Sequence, residues 1–265
     1  GGGGEPLSAP APTAALAERI LAAARGGERL AALSAQPGFT LDEAYRVQFA
    51  LADRRGAASA PVGWKIGLSN RARWAELGAS EPFFGHLFAD METLPGEAIS
   101  LAAANLRTPR LEPEIAFVLE RPLQGPGVTV AQVLAATAGV MAALEIIDHR
   151  VEPRAVTDFV ADNGAAARFV LSGRLVPVNG LDLRLVGVVL ERSGLIAATA
   201  AGAACFGHPA ATVAWLANKL AAWERSLEAG SLVLSGSLAV VPVRAGDAFT
   251  AHFDRLGAVS VRFED

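Results

Sequence analysis

From residue 61 onward the apolar residues recur mainly with period two, and the strand-like runs follow one another without a helix between each pair. That order constrains the fold more than any other feature, because a doubly wound parallel sheet needs strand and helix to alternate. Strands are predicted over 62–68, 98–101, 115–119, 144–147, 168–171, 183–190, 195–199, 232–234, 249–254 and 258–263. The turn Glu191-Arg192-Ser193-Gly194 makes a hairpin of two of them. Helices belong mainly to the N-terminal part. One starts at Thr13 and stops at Gly26-Gly27, and a second runs from the capping box Thr40-Leu41-Asp42-Glu43 to Gly56. Further helices are expected from Ser69 to Leu77, after Thr129-Val130-Ala131-Gln132, and over 210–227 behind Pro209, closed by Gly230. The expected architecture is one α+β domain over 13–265, with a helical part at 13–60 and a β-rich body at 61–265. Residues 1–12, rich in Gly and Pro, read as a flexible tail or tag remnant with no signal peptide.

Composition removes several classes. Hydrophobic residues are 52% and charged residues 19%, so the chain can bury a core and is not disordered. With 23 Lys+Arg against 27 Asp+Glu, a net charge of -4 supplies no basic face for nucleic acid. The apolar runs are too short and too Ala/Gly-rich to span a bilayer. The single Cys205 excludes an intramolecular disulfide and a Cys-based zinc cluster, and its setting Ala-Ala-Cys-Phe reads as core. A cytoplasmic protein without nucleic-acid or membrane partners is expected.

The chemistry concentrates in a few charged residues on apolar elements. In Leu111-Glu112-Pro113-Glu114-Ile115, the two acids share one strand face, about 6.6 Å apart along the chain. Paired carboxylates on an apolar strand repel and resist desolvation, and a hard divalent cation relieves both costs. A solvated strand edge is the plain alternative, which Pro113 tolerates. Glu145, inside Ala143-Leu144-Glu145-Ile146-Ile147, is a third acid in an apolar run, able to join the first two or to pair with Arg110 or Arg150. Asp148 and His149 follow near a loop, beside the site or at the surface. Lys65 shares its strand face with Gly63 and Gly67, which lets a ligand or another backbone approach. It either meets a substrate anion or faces solvent. Asp162-Asn163-Gly164 and Ser235-Gly236-Ser237 read first as turns, and His208 as the entry to a helix. His86 is open to either a structural or a site role.

Taken in order, Gly63-Trp64-Lys65-Ile66-Gly67-Leu68, Leu111-Glu112-Pro113-Glu114-Ile115-Ala116, Leu144-Glu145-Ile146-Ile147-Asp148, Ala161-Asp162-Asn163-Gly164 and Gly207-His208-Pro209 resemble the ordered motifs of one family. It comprises 2-keto-4-pentenoate hydratases, 2-oxohept-4-ene-1,7-dioate hydratases and 4-oxalocrotonate decarboxylases, within the fumarylacetoacetate hydrolase superfamily. The resemblance implies a mixed β-roll or barrel with helices packed outside, assembled as a homo-oligomer built from dimers. It implies Mg²⁺ or Mn²⁺ held by Glu112, Glu114 and Glu145, with Lys65 over a small 2-oxo acid substrate. The Ser235-Gly236-Ser237 turn would hold the substrate carboxylate, and His86, Asp162 and Asn163 would be secondary. Two positions depart from the hydratase pattern. Phe83 stands where an Asp is expected, at the distal end of the substrate, and Ala165 where many members carry Ser. The implied activity is that of a metal-dependent lyase, first a hydratase of 2-oxo/2-hydroxy dienoic acids in aromatic catabolism. A 4-oxalocrotonate-type decarboxylase, an acylpyruvate C–C hydrolase and a non-catalytic homologue are the alternatives. If an attacking water needs a polar partner other than the residue at 83, His86 is the first expectation.

Overall fold

Caps and periodicity place the first helices where the sequence puts them. A computed structural model describes residues 13–56 and 58–265, so the expected tail over 1–12 lies outside the described residues. Helix α1 (Thr13–Ala24) buries Leu16, Ala17, Ile20 and Ala23. Helix α2 (Leu41–Gly56) starts from a reciprocal box, in which the Thr40 N–H donates to Glu43 Oε2 at 2.7 Å and the Glu43 N–H to Thr40 Oγ1 at 3.2 Å. These two helices pack on each other, and α2 packs on α5 (Val156–Ala161). The remaining helices are α3 (Trp74–Leu77), α4 (Val130–Ala136) and α6 (Pro209–Ala221).

The strands are β1 (Pro61–Gly67), β2 (Phe83–Phe88), β3 (Ala98–Ser100), β4 (Arg110–Leu119), β5 (Thr137–Ile147), β6 (Ala166–Leu171), β7 (Gly187–Arg192), β8 (Leu195–Ala201), β9 (Leu232–Leu234), β10 (Val241–Pro242), β11 (Ala248–Phe253) and β12 (Gly257–Glu264). A seven-stranded sheet runs β2-β1-β9-β4-β5-β6 with β10 on β4, and a five-stranded sheet runs β3-β12-β11-β7-β8. Most neighbours are antiparallel, while β1/β9 and β12/β3 are parallel. The fold is thus the mixed α+β roll expected from the sequence, with strands β11 and β12 of one sheet packed on β5 of the other. Both faces of the large sheet are covered near its centre, so β4 is buried along nearly its whole length.

Several boundaries differ from the sequence reading, each for a physical reason. β2 went unseen because all six of its residues are buried, which leaves no alternation to read. The strand expected from 183 begins at Gly187. A turn closed by the Leu185 N–H on the Asp182 carbonyl occupies its start, although Leu183 and Val186 still reach the core. Helix α6 ends at Ala221 instead of running to 227. Glu224 takes a φ of 54°, and Leu227 leaves the helix to bridge Leu123, so its burial mimics continued helical periodicity. The side chain capping the turn before α3 is Asn70, not Ser69: its carboxamide oxygen accepts from the Ala72 N–H.

Candidate metal centre

Strand register assembles the acids. β4 and β5 are antiparallel neighbours in which Glu112 lies directly opposite Glu145, and Glu114 is two residues further along the same face. Like charges facing across a ladder are destabilising, and the site adds burial to that cost. Glu114 and Glu145 are fully buried and Glu112 is 8% exposed. One carboxylate oxygen from each lies within 4.8 Å of the others. Glu114 Oε2 accepts the Gly236 N–H at 2.8 Å, Glu145 Oε1 meets the Lys65 ammonium, and Glu114 Oε1 and Glu145 Oε2 accept no hydrogen bond. Three convergent carboxylates with unfilled lone pairs are the donor set that a hard divalent cation takes.

Lys65 closes one side. Its Nζ donates to the Gly164 carbonyl at 3.0 Å and lies 2.9 Å from Glu145 Oε1. What the flanking glycines admit is the protein itself: a Cβ on Gly63 would meet the Leu232 carbonyl, and one on Gly67 the Phe83 ring. Burial works against the charge of Lys65, but Glu145, Glu112 and Glu114 outweigh it and raise its pKa above the usual lysine value. Burial pushes Glu112 up to about 7, with Lys65 pulling it down and Glu145 pushing it further up. Glu114 is held well above the carboxylate range by burial, then by Glu145 and Glu112. One ammonium cannot neutralise three acids, so the metal-free site retains protons that a cation would displace.

A cavity of about 470 Å³ opens on this cluster, lined by Lys65, Glu112, Phe83, His149, Ser237 and the arginines Arg73 and Arg110. The Phe83 ring stands 6.0 Å from Lys65 Nζ and packs on Phe159 at 5.6 Å. Among the other residues singled out by the sequence, geometry divides the turn 235–237. The Ser235 hydroxyl is turned inward and donates to the Ile115 carbonyl, and the Gly236 N–H is spent on Glu114. Only Ser237 reaches the cavity, with its hydroxyl donating to the Ala239 carbonyl. The turn therefore orients a carboxylate of the protein.

His86 is not brought to the site. It lies across from Trp64 on the opposite sheet face from Lys65, its ring 4.5 Å from that of Trp64. Asn163 brackets the His86 backbone, accepting its N–H at 2.7 Å and donating to its carbonyl at 2.9 Å. Asp162 grips Arg150, whose Nε donates to Oδ1 at 2.7 Å; burial nonetheless pushes the carboxyl up to about 6. Both residues hold the loop that presents the Gly164 carbonyl to Lys65. Of the two places expected for Asp148, beside the site or at the surface, burial excludes the surface, and its carboxylate accepts the Arg107 and Thr108 N–H groups that lead into β4. Cys205 is a core residue, its thiol pushed up to about 12 by burial and then by Glu114. His208 caps α6, its Nδ1 accepting the Ala210 N–H at 3.0 Å. The residue that sequence reasoning underrated is His149. Its place after Glu145 was the available signal, but not the direction of its ring.

Residues 65–264 match the family described as fumarylacetoacetate (FAA) hydrolase C-terminal. The chain belongs to this family. Family members named as different enzymes resemble it to nearly the same degree. It is 40% identical over 231 residues to 4-oxalocrotonate decarboxylase of Pseudomonas sp. strain CF600, covering 86% of this chain and 87% of the relative. It is 39% identical over 259 residues to 2-oxo-hept-4-ene-1,7-dioate hydratase of Escherichia coli, covering 94% and 96%. The structure of 4-oxalocrotonate decarboxylase from Pseudomonas putida G7 in complex with magnesium and adipate superposes with a TM-score of 0.89 at 36% identity, covering 95% of this chain and 97% of that one. Among the described residues no helix is long and apolar enough to cross a membrane.

Proposed function

We propose that the chain is a divalent-metal-dependent lyase of 2-oxo and 2-hydroxy dienoic acids, and that it acts as a hydratase with Mg²⁺ or Mn²⁺. The observation that carries this reading is the trio Glu112, Glu114 and Glu145, with unfilled carboxylate lone pairs beside Lys65, at the wall of a cavity that Glu112 and Lys65 line. One decarboxylase and three hydratases at 38–40% identity support the reaction class. Glu112, Glu114 and Glu145 would hold the divalent cation, which would supply Lewis acidity toward a 2-oxo acid. The chain's own groups do the rest. Lys65 uses one N–H on the Gly164 carbonyl and faces Glu145 with another, which leaves a third donor for a developing oxyanion. Phe83 and Phe159 give the distal part of the cavity an apolar wall that suits an unsaturated carbon chain.

The second reading, a decarboxylase of the 4-oxalocrotonate type, is favoured by Phe83 itself. An aromatic ring near Lys65 offers no hydrogen bond to an attacking water. We further read the protein as a cytoplasmic homo-oligomer built from dimers. Leu195 and Ile196, 75% and 70% exposed on edge strand β8, suit burial against another copy. The deciding assay supplies 2-hydroxypenta-2,4-dienoate and, separately, 4-oxalocrotonate, with Mg²⁺ or EDTA, and identifies the products. Metal-dependent formation of the 4-hydroxy-2-oxo acid supports the hydratase; CO₂ release alone selects the decarboxylase. Consumption of neither substrate rejects both.

A further inference from the structure

We propose that His149 is the general base that holds and deprotonates the attacking water, an inference that rests on the hydratase reading above. The backbone around His149 is clamped. Asp148 accepts two N–H groups of the 107–108 loop, and the His149 carbonyl accepts Arg29 Nε at 3.0 Å. On its other side the Arg150 guanidinium donates to Asp162 and to the carbonyls of Asp148 and Ala166. The ring stands edge-on to Phe159 at 4.9 Å and is 13% exposed, lining the cavity that also holds Glu112, Lys65 and Phe83. Such fixation keeps the ring in place as substrate enters.

The two ring nitrogens differ. Nδ1 is buried without a hydrogen-bond partner, 4.0 Å from Asp162 Oδ2. That carboxylate favours the tautomer with the proton on Nδ1, which leaves the Nε2 lone pair on the accessible edge of the ring. Burial, then the cations Arg150, Arg29, Lys65 and Arg110, push the imidazole pKa down to about 3, so the ring is neutral when substrate enters. It takes the water proton only as the bond to carbon 4 forms and makes that proton acidic. Other polar side chains of the cavity are less suited to the task. The Ser237 hydroxyl, whose proton goes to the Ala239 carbonyl, can accept from water but is too weakly basic to take its proton. The Asn70 carboxamide oxygen accepts the Ala72 N–H, Glu76 pairs with Arg73 in solvent, and Lys65 and Arg110 only donate. His149 thus supplies the acceptor that the apolar ring of Phe83 does not.

In the step assigned to it, the water oxygen bonds to carbon 4 of the 2-oxo-3-enoate as one water proton passes to His149 Nε2. The carbon 3–carbon 4 π pair moves toward the 2-oxo group to give an enolate. A proton then goes to carbon 3, so the product equals the enone plus one water. The preceding conversion of dienol to enone needs no base for water and is independent of His149.

The test separates these halves with His149→Asn and His149→Phe. Proton transfer to the dienol is read as solvent-deuterium incorporation at carbon 5, and hydration as formation of the 4-hydroxy-2-oxo acid. Both variants should keep the wild-type fold by circular dichroism, bind Mn²⁺ like wild type and incorporate deuterium at wild-type rates. Hydration should fall by about 100-fold, the lower range for a lost general base. Hydration within about three-fold of wild type in both variants overturns the assignment, as does an equal loss of deuterium incorporation and hydration. Wild type that incorporates deuterium without hydrating rejects the role of His149 alone. Wild type that does neither rejects the proposed function, and the role with it.

Discussion

Replacing Glu114 by glutamine is expected to stabilise the metal-free protein while abolishing its response to metal. The three carboxylate oxygens lie within 4.8 Å, where two like charges repel by about 3 kcal/mol at an effective dielectric constant of about 20. Lys65 at 2.9 Å from Glu145 offsets one acid, by about 6 kcal/mol on the same scale. That leaves Glu112 with only the more distant Arg110 and Arg73, and Glu114 without a cation of its own. Glu114, held well above the carboxylate range by burial and by Glu145 and Glu112, contributes stability below the unfolded value near 4.5. This contribution is lost as pH rises through its folded value, so the cost grows with pH. Glutamine keeps an oxygen for the Gly236 N–H and offers its amide N–H groups to Glu112 and Glu145. In EDTA at pH 8, Glu114→Gln should therefore melt about 3–10 °C above wild type, corresponding to about 1–3 kcal/mol for a chain of this size. The difference should shrink toward pH 5. Excess Mg²⁺ at 100 times Kd should raise wild type by about 2.7 kcal/mol and leave the variant unmoved. Differential scanning fluorimetry across pH reads both effects. A metal-free variant that melts below wild type at pH 8, yet still gains from Mg²⁺, would refute this electrostatic account.

Three other outcomes follow from the same geometry. Lys65→Met should lower kcat/KM by about 100-fold or more, while Mn²⁺ affinity stays equal to or above wild type, because an ammonium 2.9 Å from Glu145 competes with the cation. A wild-type rate in that variant would leave Lys65 a purely structural role. Phe83→Asp should raise hydration relative to decarboxylation from a slow wild-type rate, and an unchanged product ratio would remove Phe83 from the specificity of the cavity. His86, pushed down to about 3 by burial and then by Arg225, contributes stability that is present above about 6.5 and lost as pH falls toward 3. Against His86→Phe in urea titrations, wild type should lose about 3 kcal/mol between pH 7 and pH 4; parallel curves would mean that His86 protonates freely in the folded state.

How much was legible depended on whether a residue's partner lies nearby in sequence. The common face of Glu112 and Glu114 follows from the two-residue period of one strand, and the capped starts of α2 and α4 from side chains three residues apart. Glu145 was conspicuous as an acid in an apolar run. Its position opposite Glu112, however, depends on a β4/β5 register set across the intervening α4, which no local pattern encodes. By itself Ser235-Gly236-Ser237 reads as a turn, and only the family resemblance makes it a holder of the substrate carboxylate. Its direction is fixed by Ile115 and Glu114, 120 and 122 residues away along the chain. For His149 and His86 the composition was identical and the outcome opposite. Sheet face and loop geometry decided which imidazole meets the cavity.

The central claim is that Glu112, Glu114 and Glu145 hold one divalent cation in the cavity that Lys65 and His149 line. Crystals grown with Mn²⁺ and measured at the manganese absorption edge test it directly through the anomalous difference map. The account predicts one strong peak bounded by the three carboxylates, about 2.0–2.6 Å from an oxygen of each. No peak there, or a peak on a different set of side chains while these carboxylates bond to protein donors, would contradict it.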